Sequence, residues 1–124
     1  MQKLEHIRLL AIDMDGTLVD SQKRVTPRTA RALHRAMEKG IAITIATGRY
    51  TTDLFDILQP LGITGPAILG NGAAVMDAKK VYFHSLISEK DLREVSAICL
   101  REQAALFVSV EGYTCCLNNS YTME

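Results

Sequence analysis

The apolar run Ile7 to Ile12 leads directly into Asp13-Met14-Asp15-Gly16-Thr17, and no other stretch constrains the fold as tightly. Leu9, Leu10, Ala11 and Ile12 read as a parallel strand buried on both faces, since such a strand is continuously hydrophobic rather than alternating. Two carboxylates follow, one residue apart, where the strand ends, and Gly16 and Thr17 then turn the chain. Carboxylates at i and i+2 of an extended segment project from the same side. Like charges that close call for a cation, a proton or a phosphoryl group between them. Open α/β sheets bind ligands at the carboxyl ends of their strands, so the pattern points to catalysis. Two plainer readings compete. Asp and Gly are ordinary turn residues, and a calcium loop also opens on spaced aspartates. An EF-hand needs a Glu at position twelve; counted from Asp13 that position is Arg24, and no helix precedes the motif.

A chain of 124 residues is one domain's worth, within the usual ~100–150 residues. Acidic and basic residues balance to a net charge of zero, which gives no reason to expect nucleic acid or an anionic membrane as partner. No apolar run approaches the ~20 residues that span a bilayer, and the N-terminus lacks signal-peptide features. Cys99, Cys115 and Cys116 are odd in number and lack metal-ligand spacing. Reduced thiols in the cytoplasm are the simplest account. The pair Cys115-Cys116 reads as buried strand residues, with a redox switch as the alternative.

Downstream, Val19 to Val25 is polar and loop-like. Thr26 caps a helix with Pro27 at its first position; Ala30, Leu33, Ala36 and Met37 share one face, and Gly40 ends it. Ile41 to Ala46 is a second buried strand running into Thr47-Gly48-Arg49. Thr51 or Thr52 caps a second helix with the stripe Leu54, Ile57, Leu58 and Leu61. Ala67-Ile68-Leu69 is a third strand, ending at Gly70-Asn71-Gly72. Strand, helix, strand, helix, strand implies right-handed crossovers and a parallel sheet. Ala74 to Met76 and Val81 to Phe83 then form a β-hairpin. Ser88 with Asp91 makes a capping box for a helix bearing Leu92, Val95, Ile98 and Cys99. Ala105 to Val110 and Tyr113 to Leu117 pair across Glu111-Gly112.

The three strand ends, Asp13/Asp15, Thr47/Gly48 and Asn71/Gly72, fall together at one edge of such a sheet. The Thr47 hydroxyl and the Gly48 amide suit an anionic oxygen, although Thr-Gly also serves as a plain turn and cap. Asp13-Met14-Asp15-Gly16-Thr17-Leu18, Thr47-Gly48-Arg49 and Asn71-Gly72-Ala73 together resemble the first motifs of haloacid dehalogenase-like phosphatases, most closely the Cof-type sugar-phosphatase branch. The resemblance runs from about Leu9 to the end of the chain. It implies an α/β fold: residues 1–83 as a partial Rossmann-like core with three parallel strands, and residues 84–124 as the start of an α/β cap domain.

The resemblance also implies roles. Asp13 is the nucleophile that becomes an aspartyl phosphate, and Asp15 handles the proton of the leaving group and then of water. Mg²⁺ sits on the Asp13 carboxylate and the Asp15 backbone carbonyl. Thr47, Gly48, Arg49 and Asn71 are the phosphate- and substrate-binding candidates, with Arg49 equally readable as an exposed salt bridge. The chemistry is sound without the family: a carboxylate is a competent covalent nucleophile, a metal offsets its repulsion by a dianionic substrate, and a second carboxylate can manage the proton. The expected substrate is a small phosphorylated metabolite, with sugar phosphates foremost.

Only a loop and one helix separate Asp15 from Thr47, which leaves no room for a helical cap there. The segment after Asn71 resembles a cap inserted after the third strand. His84 reads as a hinge or surface residue, His6 and His34 as solvent-facing. Two further parts of the family pattern, a phosphoryl-neutralising lysine and a late acidic pair, are not found: Lys79, Lys80 and Lys90 lie in the hairpin turn and on the cap helix, and Glu111-Gly112 does not match. The chain therefore reads as a truncated protein ending inside the cap. A half-sheet leaves an apolar edge uncovered, so self-association through it is expected. A non-catalytic interaction module and a phosphomutase are the rival functions.

Overall fold

The computed structural model describes residues 6–50, 53–110 and 113–117. Strands β1 (Leu9–Ile12) and β2 (Ala42–Ile45) pair in parallel, with Leu9 opposite Ala42 and Ile12 opposite Ile45. Helix α1 (Pro27–Glu38) makes the crossover. Its cap is as expected: Thr26 Oγ1 accepts from Thr29 N at 3.1 Å, and Leu33 carries the buried face. Helix α2 (Leu54–Leu58) is short and continues as a 3-10 turn over Gln59–Leu61, burying Leu54, Leu58 and Leu61. Its expected caps, Thr51 and Thr52, lie outside the described residues.

The third strand departs from the expected ladder. Strand β3 (Ala67–Leu69) meets the end of β2 through one parallel bridge, Ala46 to Ile68. Thr47 N donates to Ile68 O at 2.9 Å and Thr44 Oγ1 to Pro66 O at 2.7 Å. The full ladder of β3 is antiparallel with β4 (Ala74–Met76), which pairs in turn with β5 (Val81–His84). The expected hairpin, β4 with β5, thus continues from β3 within the first part of the chain. The fold is α/β, and the chain divides into two compact units, Met1–His84 and Ser85–Glu124.

The core of the first unit gathers Met14, Leu18, Val19, Leu33, Ile43, Ile45, Leu54, Leu58, Ala67 and Leu69. Two expectations fail here. β1 is not buried on both faces: Leu9 is 58% and Leu10 39% exposed, because β2 is the only strand that pairs with it among the described residues. The segment Val19 to Val25 is not simply polar loop, since Val19 is buried and bridges Asp15.

In the second unit, Ser88 Oγ accepts from Asp91 N at 3.1 Å and caps α3 (Glu89–Arg101). Strands β6 (Leu106–Val110) and β7 (Tyr113–Leu117) are antiparallel, Val108 opposite Cys115. Cys115 and Cys116 are exposed, not buried, and Cys99 is half-buried. A two-stranded ribbon has no second layer of its own to cover either face, so adjacent side chains on opposite faces both meet solvent. No helix among the described residues is long and apolar enough to cross a membrane.

The exposure pattern sets the cost of truncating side chains. Leu58→Ala, in the core, lowers unfolding free energy by about 2–5 kcal/mol, whereas Leu9→Ala, on the open strand, changes it by less than about 1 kcal/mol. Urea titrations of both variants check this; equal losses would show that β1 is covered in solution.

Candidate active site

The loop after β1 is held by its own backbone and by the buried side chains of Met14, Leu18 and Val19. Leu18 N donates to Asp13 O and Val19 N to Met14 O, at 3.1 and 3.0 Å. Met14 is fully buried, so the side chains on either side of it, Asp13 and Asp15, face out together, as i and i+2 alternation requires. Thr17 Oγ1 donates to Asp13 Oδ2 at a long 3.5 Å. Asp13 is otherwise exposed.

Ala46 N donates to Ile12 O at 2.9 Å, so β2 leaves the sheet level with β1 and delivers Thr47 beside the aspartate loop. Among the described residues Thr47 is the one buried polar side chain, 6% exposed. Its Oγ1 accepts from Arg49 N at 3.2 Å, and its carbonyl accepts from Asn71 N at 3.2 Å. Gly70 N donates to Arg49 O at 2.9 Å. These bonds stitch the second and third strand ends together. Gly48 lets the Asn71 side chain come close: a Cβ there would lie 3.0 Å from Asn71 Oδ1. Asn71 takes a left-handed backbone, φ 56°, which asparagine tolerates better than most side chains.

Arg49 closes the constellation. Its Nε donates to Asp15 Oδ2 at 2.7 Å and its Nη2 to Asp15 Oδ1 at 2.6 Å, a two-point grip of the kind guanidinium geometry favours. Lys23 Nζ reaches Asp15 Oδ1 at 2.6 Å from the other side. Hydrogen bonds from Arg49, then Lys23, hold the Asp15 carboxyl at about 2, against an ordinary 3.8. The Asp15 bond in turn raises Arg49 above its ordinary value. Arg49 thus forms a salt bridge, one of the two roles weighed for it.

The structure thus places Asp15, Arg49, Thr47, Gly48 and Asn71 in one connected set, with Asp13 on the adjoining strand end. Three residues were missed. Lys23 sits in the polar stretch Asp20 to Arg24, where no pattern marks it. Tyr50 and His84 share a hydrogen bond of 2.7 Å and stack with centroids 5.7 Å apart. Tyr50 also packs on Gly70, so this pair ties the end of β5 to the strand-end loops. His84 is exposed as expected, yet bonded rather than free. Among the described residues no three His, Cys, Asp or Glu side chains converge as a metal cluster. A shallow groove along α3, lined by Leu92, Arg93 and Ser96 among others, contains none of the site residues.

Residues 10–124 match the model of the haloacid dehalogenase-like hydrolase family. The chain belongs to that family. It is 39% identical over 85 residues to the phosphatase YwpJ of Bacillus subtilis, covering 68% of this chain and 30% of that protein. It is 39% identical over 87 residues to the HMP-PP phosphatase of Yersinia enterocolitica, covering 70% of this chain and 32% of that one. The solved subclass IIB sugar phosphatase BT4131 superposes with a TM-score of 0.78 at 28% identity, over 91% of this chain and 45% of its own. The chain spans about a third of the length of these curated relatives.

Because the folded value of Asp15 lies below the ordinary one, its ionised form favours the folded state above the ordinary value. That contribution is lost as pH falls through about 2. Arg49→Ala returns the Asp15 midpoint toward 3.8, read by the ¹³C shift of the carboxyl carbon during an acid titration; an unmoved midpoint contradicts the assignment.

Proposed function

We propose that this chain carries the nucleophile-bearing part of a Mg²⁺-dependent phosphatase of the cytoplasm, acting on a small phosphorylated metabolite and foremost a sugar phosphate. One observation carries the reading. Two aspartates share one face of a strand end, one of them exposed and held by no cation among the described residues, the other clamped by Arg49 and Lys23. The names of the relatives, a phosphatase, an HMP-PP phosphatase and a sugar phosphatase, support the substrate class.

In this reading an Asp13 oxygen attacks phosphorus, the bond from phosphorus to the leaving oxygen breaks, and an aspartyl phosphate forms. Thr47 and Gly48 steady the phosphoryl oxygens through the hydroxyl and the amide. Asn71, held against Gly48, defines the neighbouring wall. Asp15 gives a proton to the departing alkoxide and later takes one from the attacking water. The clamp constrains that role. A carboxyl held at about 2 is ionised at neutral pH, so it serves as base without change but becomes an acid only as the clamp on it loosens.

The donor set fits Mg²⁺, a hard ion that keeps several waters and takes one or two carboxylates plus substrate phosphate oxygens. Asp13 offers such a carboxylate. The Asp15 side chain is committed to Arg49 and Lys23, so a contribution from Asp15 comes through its backbone carbonyl. Bound there, the ion supplies charge neutralisation between nucleophile and phosphoryl group.

The test is p-nitrophenyl phosphate turnover in Mg²⁺ by the chain and by Asp13→Asn. Hydrolysis that falls to background in the variant is the expected result, and equal rates in the two proteins would sink the reading.

A further inference from the structure

We infer that Lys23 is a ligand-binding residue of this site, a cation that passes from Asp15 to an anionic oxygen of the phosphorylated ligand. The inference rests on the phosphoryl-transfer reading above and adds to it a residue that none of the sequence motifs contains.

The first argument is stoichiometric. Arg49 alone reaches both oxygens of Asp15, through Nε and Nη2. Lys23 Nζ comes to Oδ1, an oxygen Arg49 already holds. Two cations on one carboxylate leave a surplus positive charge beside Asp13, where a dianionic phosphoryl group would otherwise meet two negative carboxylates. Like charges brought close disfavour each other unless a cation intervenes.

The second argument is the way Lys23 is delivered. Asp20 N donates to Arg24 O and Lys23 N to Asp20 O, each at 2.9 Å. Asp20 Oδ1 accepts from Gln22 N at 2.8 Å and from Arg24 N at 3.0 Å. This turn, closed on Asp20 by four hydrogen bonds, sets Lys23 at φ 60°, a left-handed backbone that a residue with a side chain adopts against a steric penalty. Such strain is tolerated where surrounding structure over-determines it, and it gathers at ligand clamps. Here it aims the one lysine of the loop back across eight residues of chain at Asp15.

The third argument is the ease of exchange. The Lys23 side chain is 62% exposed, and an ion pair that open to water holds weakly. An ammonium is a compact charge with three donors and no fixed plane, whereas a guanidinium fork is specified for its carboxylate. Arg49, more covered, stays on Asp15 and orients it, while Lys23 turns to the ligand. The competing account is an ordinary surface ion pair that touches no ligand.

Binding of inorganic phosphate to the full chain in Mg²⁺ buffer, followed by ³¹P NMR, separates the two. Lys23→Met weakens binding by about three- to tenfold, the loss of one charge-assisted contact, and flattens its dependence on salt. Lys23→Arg restores most of the affinity. Lys90→Met, which removes a lysine from α3, leaves it unchanged. Thermal midpoints are recorded for each variant to show that the fold persists. Phosphate held as tightly by Lys23→Met as by the parent overturns the inference, as does an equal loss in Lys23→Arg. Absence of phosphate binding by the parent overturns the phosphoryl-transfer reading itself, and the inference with it.

Discussion

The parallel register of β1 on β2 is the constraint from which the site follows. With Ile12 opposite Ile45 and Ala46 N bonded to Ile12 O, both strands run out at one level, and the polar residues after each meet at a single edge. A slip of one residue would send every side chain of β1 to the opposite face. Met14 would then lose its place in the core, and the two aspartates would turn inward. The burial of Met14 is thus the lock on the register, and Leu18 and Val19 brace the loop that follows it. The third strand is joined by a lighter device, one bridge and a few loop hydrogen bonds, which is enough to bring Asn71 against Gly48.

Electrostatics does a different task from the core. The ion pairs around Asp15 lie near water, where such pairs add little to folding stability. Their effect is chemical. They keep Asp15 charged, fix its orientation and leave Asp13 as the carboxylate without a cationic partner among the described residues. Two identical side chains two residues apart are thereby given unlike environments, the condition under which neighbouring carboxylates take separate roles. The backbone does the rest: Thr47, Arg49, Gly70 and Asn71 exchange main-chain hydrogen bonds, so the anion-binding candidates belong to a stitched pair of loops.

Elements with a local cause were legible in the chain. Thr26 and Ser88 cap their helices because a side-chain oxygen reaches an amide three residues on. Leu33, Leu54 and Leu58 face the core because helical spacing puts them there. Burial was the less legible property. An apolar run states that a strand suits an interior, but the interior itself is made by neighbouring elements. β1 has its open edge for that reason, and Cys115 and Cys116 are exposed on a two-stranded ribbon. The hairpin after Asn71 was recognised as a hairpin. Its attachment to β3 was not, because strand partners are chosen across space by register and not by composition.

Sequence alone determined the set of candidate residues: two aspartates one residue apart, thrown to the same side by strand geometry, followed by Thr47-Gly48 and Asn71 at the ends of later strands. Those are short-range facts of residue type and backbone period. Tertiary structure alone decided which cations meet which carboxylate. Arg49 comes to Asp15 from 34 residues away and Lys23 from eight, the first set by the register of two strands and the second by a strained turn closed on Asp20. Neither leaves a periodic trace in the chain, because a contact between distant residues depends on where the intervening elements pack and not on the residues that lie between them.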